Sequence, residues 1–151
     1  MPTFRNFFSC VYHSQRVYVF GGYESNLKAQ LRTCEYYDIP NGKWVTIASL
    51  KTPRSQSAAC RINDQHILVF GGYNKELGTL DSIERYIIEE DRFEQMTLKL
   101  PIPLRRFMVV RICRNIALVL GGITKSDKKE SQKDSQRVFK LDYERQTFVE
   151  L

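Results

Sequence analysis

Four apolar residues followed by two glycines occur three times in this chain. Val17–Phe20 precedes Gly21-Gly22, Ile67–Phe70 precedes Gly71-Gly72, and Ala117–Leu120 precedes Gly121-Gly122. The step from Gly21 to Gly71 to Gly121 is 50 residues each time. Self-similarity at a fixed period of this length marks a repeat architecture, in which one supersecondary unit buries its faces only by stacking on its neighbours. The period divides the chain into units over residues 1–50, 51–101 and 102–151.

Each unit carries four strand signals, a to d. In the first they fall at Asn6–Tyr12, Arg16–Phe20, Cys34–Asp38 and Lys43–Ile47. Strand a recurs at Gln56–Ile62 and Arg106–Cys113, strand c at Ser82–Ile88 and Arg137–Asp142, and strand d ends the chain at Thr147–Leu151. Strand b is apolar at successive positions instead of alternating, which predicts burial on both faces. The glycine pair then gives the chain a sharp exit and lets another backbone come close. From strand c to strand d, Tyr37 to Trp44, Tyr86 to Phe93 and Leu141 to Phe148 are each seven positions apart. A hairpin of fixed length would set these side chains beside one another as cross-strand pairs. The b-to-c segments differ most between units. The third, with the polar run Lys125–Asp134, reads as a solvated loop.

A Gly-Gly pair after strand b, Tyr-Asp in strand c and Trp in strand d resemble the kelch repeat. The first unit matches best, with Gly21-Gly22, Tyr37-Asp38 and Trp44. The second keeps Gly71-Gly72 and Tyr86, with Ile87 for the aspartate and Phe93 for the tryptophan. The third keeps Gly121-Gly122 and Asp142, with Leu141 and Phe148 at the aromatic places. An arginine ahead of strand a is also typical of the family. Arg5 and Arg105 lie 16 positions before the first glycine of their units, and Arg54 lies 17 before. The resemblance implies an all-β fold of kelch-type β-propeller blades, three four-stranded antiparallel sheets. Propellers close with four to eight blades. Three blades therefore imply a piece of a longer protein, half of a six-bladed ring completed by a second copy, or an open arc capped by something else.

Composition excludes several classes. The chain is 42% hydrophobic and 26% charged, ordinary for a globular protein, and its net charge of +6 is scattered without an aromatic-basic stripe, which argues against nucleic acid. There is no apolar run of the length needed to cross a membrane as a helix, and the start, Met-Pro-Thr-Phe-Arg-Asn, does not read as a secretory leader. Cys10, Cys34, Cys60 and Cys113 form no C-x-x-C pair and read as free, buried thiols of a reducing, cytoplasmic compartment. Cys10 and Cys60 stand at the same distance before their glycine pairs.

Catalytic and cofactor readings find little support. Gly-Gly-Tyr lacks the third glycine of a dinucleotide fingerprint and the Gly-Lys-Ser/Thr of a phosphate loop. His13 and His66, the only histidines, sit at different offsets in their units, so no metal site is expected. No cofactor and no catalytic residue are assigned; the alternative is a fragment of a kelch-fold enzyme whose catalytic groups lie in missing blades.

What remains is a surface. In the propellers this chain resembles, the b-to-c and d-to-a loops gather on one face, which commonly binds a protein. By position, the resemblance assigns Tyr23, Ser25, Asn26, Tyr73 and Asn74 to the b-to-c loops. It assigns Arg5, Asn6, Arg54, Gln56, Arg105 and Arg106 to the d-to-a segments. Tyrosine and arginine anchor protein interfaces, and arginine grips carboxylates at two points. The arginines favour an acidic protein or peptide partner. A substrate-recognition part of a ligase adaptor, a cytoskeletal binder or a scaffold would each use such a face.

Overall fold

The computed structural model describes residues 1–125 and 132–151 and contains three four-stranded antiparallel sheets. In the first blade, β1 (Ser9–His13) and β2 (Arg16–Phe20) form a hairpin. The short pair β3 (Tyr23–Glu24) and β4 (Ala29–Gln30) follows, then β5 (Cys34–Asp38) and β6 (Lys43–Ile47). The second blade repeats this with β7 (Ala58–Arg61), β8 (His66–Phe70), β9 (Tyr73–Asn74), β10 (Gly78–Thr79), β11 (Ser82–Ile87) and β12 (Arg92–Lys99). The third has β13 (Met108–Cys113), β14 (Ile116–Leu120), β15 (Ile123–Lys125), β16 (Gln132–Asp134), β17 (Val138–Asp142) and β18 (Thr147–Glu150). Each large sheet runs in the order a-b-c-d, as β1-β2-β5-β6 does in the first.

Two features differ from the sequence reading. The b-to-c segments are not plain loops, because each starts and ends in a small antiparallel pair: β3–β4, β9–β10 and β15–β16. Lys125 and Gln132–Asp134 of the third pair fall inside the run read as solvated loop, and residues 126–131 lie outside the described residues. Strand a also starts later than expected. Phe7, Gln56 and Arg106 have φ of 52°, 56° and 53°, in the left-handed region, which breaks the extended backbone before Ser9, Ala58 and Met108.

Side chains alternate across each sheet. One face of a blade looks forward to the next blade in the chain, and the other looks back. Tyr18 and Phe20 look forward and pack with Ile67, Val69, Tyr86 and Phe93, which look back from the second blade. Leu68, Phe70 and Ile83 look forward and meet Ala117, Val119, Phe139 and Leu141 of the third. Ile67–Phe70 is therefore buried on both faces. Full burial of each such side chain contributes roughly 1.5–3 kcal/mol. β14 departs from the expected pattern: Ala117 and Val119 are buried, but Ile116, Leu118 and Leu120 are only partly so. Among the described residues, no sheet covers the forward face of the third blade.

The c-to-d pairs form as expected. Tyr37 and Trp44 are register partners with ring centroids 5.3 Å apart, Tyr86 and Phe93 lie 4.9 Å apart, and Leu141 is opposite Phe148. The seams between blades close at the glycines. A Cβ on Gly71 would lie 2.5 Å from the Leu104 carbonyl oxygen, and one on Gly21 would lie 2.4 Å from that of Arg54. Only a residue without a side chain admits the next blade's linker so closely.

Candidate functional site: the loop face

The arginines ahead of strand a divide into two kinds. Arg54 is fully buried. Its Nη1 donates to the carbonyls of Gly71 (2.9 Å) and Ser82 (3.1 Å), and its Nη2 to Glu84 Oε1 at 2.7 Å. Glu84, also fully buried, accepts further bonds from the backbone N–H of Lys51 (2.6 Å) and Thr52 (3.0 Å). Arg5 does the same work in the first blade, donating to the Gly21 carbonyl at 2.6 Å and the Thr33 carbonyl at 2.8 Å, with Glu35 Oε1 at 3.2 Å. A charge out of water is costly unless it is paired and hydrogen-bonded, and both conditions are met here. Glu35 Oε2 is buried without a partner. Counting back from the arginine, Pro2 stands where Lys51 stands in the second blade, and proline has no N–H to give. Arg5 and Arg54 were read from sequence as partner-binding; their burial withdraws them, because neither guanidinium reaches the surface.

The third blade has no such pair. Ser55 bridges to Tyr73 and Asn6 to Tyr23, and the residue that bridges to Ile123 in the same way is Arg105. Arg105 is thus the counterpart of Asn6 and Ser55, and the counterpart of Arg5 and Arg54 is Leu104. The Glu35 and Glu84 position, opposite Val19 and Val69 of strand b, is held by Phe139, opposite Val119. Leu104 and Phe139 belong to one buried apolar cluster. The Lys51 position becomes Pro101. Counting from the glycines missed this because strand a and its turn hold one extra residue in the later blades, in the a-to-b turn of the second and at a bulge between Arg111 and Cys113 in the third. Ser9 pairs with Phe20 at 12 positions before Gly21, whereas Ala58 and Met108 pair with Phe70 and Leu120 at 13 before Gly71 and Gly121.

The same slip sorts the cysteines. Cys10 pairs with Val19 and looks back, whereas Cys60 pairs with Leu68 and looks forward. One residue of register turns a side chain to the opposite face. Cys60 and Cys34 are buried, and burial pushes their thiols up to about 11 and about 12 respectively. Cys10 and Cys113 are exposed, contrary to the expectation of buried thiols.

The remaining predicted residues stand on the loop face. Gln56 Oε1 accepts from Arg106 Nε at 2.9 Å and from Arg105 Nη1 at 3.4 Å. The Arg105 guanidinium lies 5.1 Å from the Tyr73 ring centroid, and that of Arg106 lies 5.8 Å from the Phe7 centroid. Such cation–π contacts hold an arginine in place without neutralising it. Asn6 Nδ2 donates to Ser25 Oγ at 3.3 Å beside the half-buried Tyr23, and Asn26 is exposed farther out. Asn74 is buried and serves its own loop. Its Oδ1 accepts from the N–H of Glu76 and Leu77, and its Nδ2 donates to the Pro53 carbonyl.

Sequence reasoning missed a groove between the first and second blades. It is about 410 Å³ and is lined by Lys28, Lys51, Pro53, Lys75 and Leu77 among others. It also missed the exposed Leu27 and Leu77, each six residues after the first glycine of its unit. That equal spacing was the signal that could have found them.

Among the described residues, no three His, Cys, Asp or Glu side chains form a metal-binding group. His13 lies against Arg61 across the first seam and His66 against Tyr143 across the second, with burial lowering the pKa of both. No helix of the described residues is long and apolar enough to cross a membrane.

Known proteins agree with this geometry. The chain is 31% identical over 125 residues to spermatocyte protein spe-26 of Caenorhabditis elegans, covering 80% of this chain and 21% of that protein. It is 27% identical over 137 residues to alpha-scruin of Limulus polyphemus (86% of this chain, 14% of that one) and 26% identical over 145 residues to beta-scruin (91% and 15%). The chain thus spans about a fifth or less of the length of these curated relatives. The kelch motif matches residues 5–51 and again 53–97, the two blades that keep the buried Arg–Glu pair, and kelch repeats generally mediate protein–protein interaction. With the glycine seams, the four-stranded sheets and these matches agreeing, the chain belongs to the kelch-repeat family.

Proposed function

We propose that this chain is a non-catalytic interaction module of the cytoplasm. It binds an acidic protein or peptide segment across its loop face, as a substrate-recognition or scaffold part of a larger complex. The observation that carries this reading is the set of exposed cations on that face. Lys28, Lys51, Lys75 and Arg106 are all exposed, and none is ion-paired among the described residues. A groove with lysines on its walls and an exposed leucine at its rim suits a carboxylate-bearing segment that also carries an apolar side chain. Asn6, Tyr23, Ser25, Asn26, Gln56, Tyr73 and Arg105 supply the surrounding polar and aromatic surface. Arg5, Arg54 and Asn74 act beneath it as braces.

A random-peptide display selection against the whole chain tests this. Enrichment of acidic peptides is expected, with binding weakened by salt and lost in the Arg105→Glu/Arg106→Glu variant. Selected peptides that are neutral or basic, or that bind the variant equally well, would overturn the reading.

A further inference from the structure

Two guanidinium groups on the loop face share one uncharged acceptor. Arg106 Nε donates to Gln56 Oε1 at 2.9 Å, and Arg105 Nη1 donates to the same oxygen at 3.4 Å. From this pair we infer a subsite for a dianionic phosphate group, presented by a phosphorylated segment of the partner. The subsite lies within the surface proposed for an acidic segment, so it rests on that reading, and it fixes which anion Arg105 and Arg106 take.

Other arginines of the chain are neutralised where they stand. Arg61, Arg85, Arg92 and Arg137 each meet a carboxylate. Arg105 and Arg106 meet an amide oxygen instead, and among the described residues neither has an ion-pair partner. Two like charges drawn to one neutral atom repel each other, and the surrounding residues hold them there. The Tyr73 ring lies 5.1 Å from the Arg105 guanidinium, and the Phe7 ring lies 5.8 Å from that of Arg106. The acceptor is fixed as well. Gln56 sits at φ 56°, its N–H donates to the Phe7 carbonyl at 2.7 Å, and its own carbonyl accepts from the Arg106 N–H at 2.9 Å. Gln56 is thus a positioning residue. All of these steering contacts come from the first and second blades, on the side of the third blade that the chain itself covers.

Charge and donors both match a phosphate monoester. A carboxylate would neutralise one guanidinium and leave the other. A phosphate monoester carries about −1.5 to −2 charges at neutral pH and offers three acceptor oxygens. Arg105 Nη2 and both terminal nitrogens of Arg106 have no acceptor among the described residues. Planar guanidinium forks grip phosphate oxygens at two points, which a lysine ammonium does not. Gln56 orders the two forks and leaves their charge for the ligand. The subsite also adjoins the lysine-lined groove. Tyr73, which lies against Arg105, begins β9, and Asn74 and Lys75 beside it line the groove. A segment with its phosphate on the arginines runs from there into the groove beside Lys75.

Nuclear magnetic resonance on the whole chain reads the subsite directly. Inorganic phosphate should shift the Nε–Hε signals of Arg105 and Arg106 saturably, while chloride at equal ionic strength should leave them in place. Arg105→Lys and Arg106→Lys assign the two signals. Three matched peptide libraries, with serine, glutamate or phosphoserine at one fixed position among acidic and apolar neighbours, then identify the source of the anion. Phosphoserine should bind about tenfold tighter than glutamate. The Arg105→Lys/Arg106→Lys variant should keep its binding of the glutamate library and lose most of that preference, because the charges remain and the forks are gone. Gln56→Leu, which keeps both charges without their shared acceptor, should lower the preference in the same way. Equal binding of the phosphoserine and glutamate libraries would overturn the inference and leave the acidic-segment reading standing. A preference that survives in the double-lysine variant would overturn it too. Arginine signals that move in phosphate without any preference for phosphoserine would assign the pair to free phosphate and overturn its presentation by a partner. If no library binds, the acidic-segment reading fails along with this one.

Discussion

Arg54 and Leu104 occupy the same place one blade apart, and the two blades solve one packing problem with opposite chemistry. In the second, a buried guanidinium ties strand b to strand c and is neutralised by Glu84, which in turn holds two N–H groups of the linker. In the third, the arginine, the glutamate and the N–H-bearing Lys51 are replaced by Leu104, Phe139 and Pro101. Of the groups that meet Glu84, the N–H at the Thr52 position persists, on Ile102. A buried ion pair can give way to apolar residues at little cost, but removal of one partner leaves a stranded charge. In the first two blades the arginine typical of this family is a scaffold element, and in the third it is exchanged together with its glutamate.

The sharpest way to break this comparison is to make the exchange in pieces. Arg54→Leu alone leaves Glu84 buried and uncompensated, and should cost about 3–5 kcal/mol in urea unfolding. Adding Glu84→Phe should recover part of that loss, and adding Lys51→Pro should recover more by removing an N–H that no longer has an acceptor. Strictly additive losses would mean the three positions do not act as a unit.

The glycines extend the test to the seams. Gly71→Ala forces a Cβ onto the Leu104 carbonyl as well as straining a backbone at φ 50°, and should cost about 2–3 kcal/mol. Gly121→Ala bears mainly the backbone strain, about 1 kcal/mol, since its nearest contact is 3.5 Å away. A similar contrast holds for the aromatic pairs. Phe93→Ala should cost about 3–5 kcal/mol, the range for a buried ring. Trp44→Ala should cost less than that, because its ring is half-buried in a single chain. Equal losses at Phe93 and Trp44 would contradict the open backward face.

The smallest effect concerns pH. Burial lowers the pKa of His66, where it sits against Tyr143. Below its ordinary value near 6.5 the unfolded chain takes up the proton more readily than the folded one, so stability should fall as the pH drops through that value. His66→Gln should flatten this part of the curve in thermal unfolding.

Much of the fold was legible without coordinates. The 50-residue period, the double glycines and the seven-position pairs fixed three sheets of four strands, because burial on two faces and a hairpin of set length each leave a mark in the residues. The candidate surface was only half legible. Gln56, Tyr73, Arg105 and Arg106 do meet on the loop face, but Arg5 and Arg54 look the same in sequence and lie inside.

What the chain of residues determined by itself is where strands run and where the backbone must be bare, since these follow from local pattern and the special freedom of glycine. Which side a residue turns to, and which residues are true counterparts between blades, was decided by the folded sheets. One extra residue, in the turn of the second blade and at a bulge in the third, shifts the pairing of strand a by one place, sending Cys10 and Cys60 to opposite faces and putting Leu104 where Arg105 was expected. Side chains in a strand alternate with a period of two, so a slip too small to disturb the pattern is enough to exchange inside and outside.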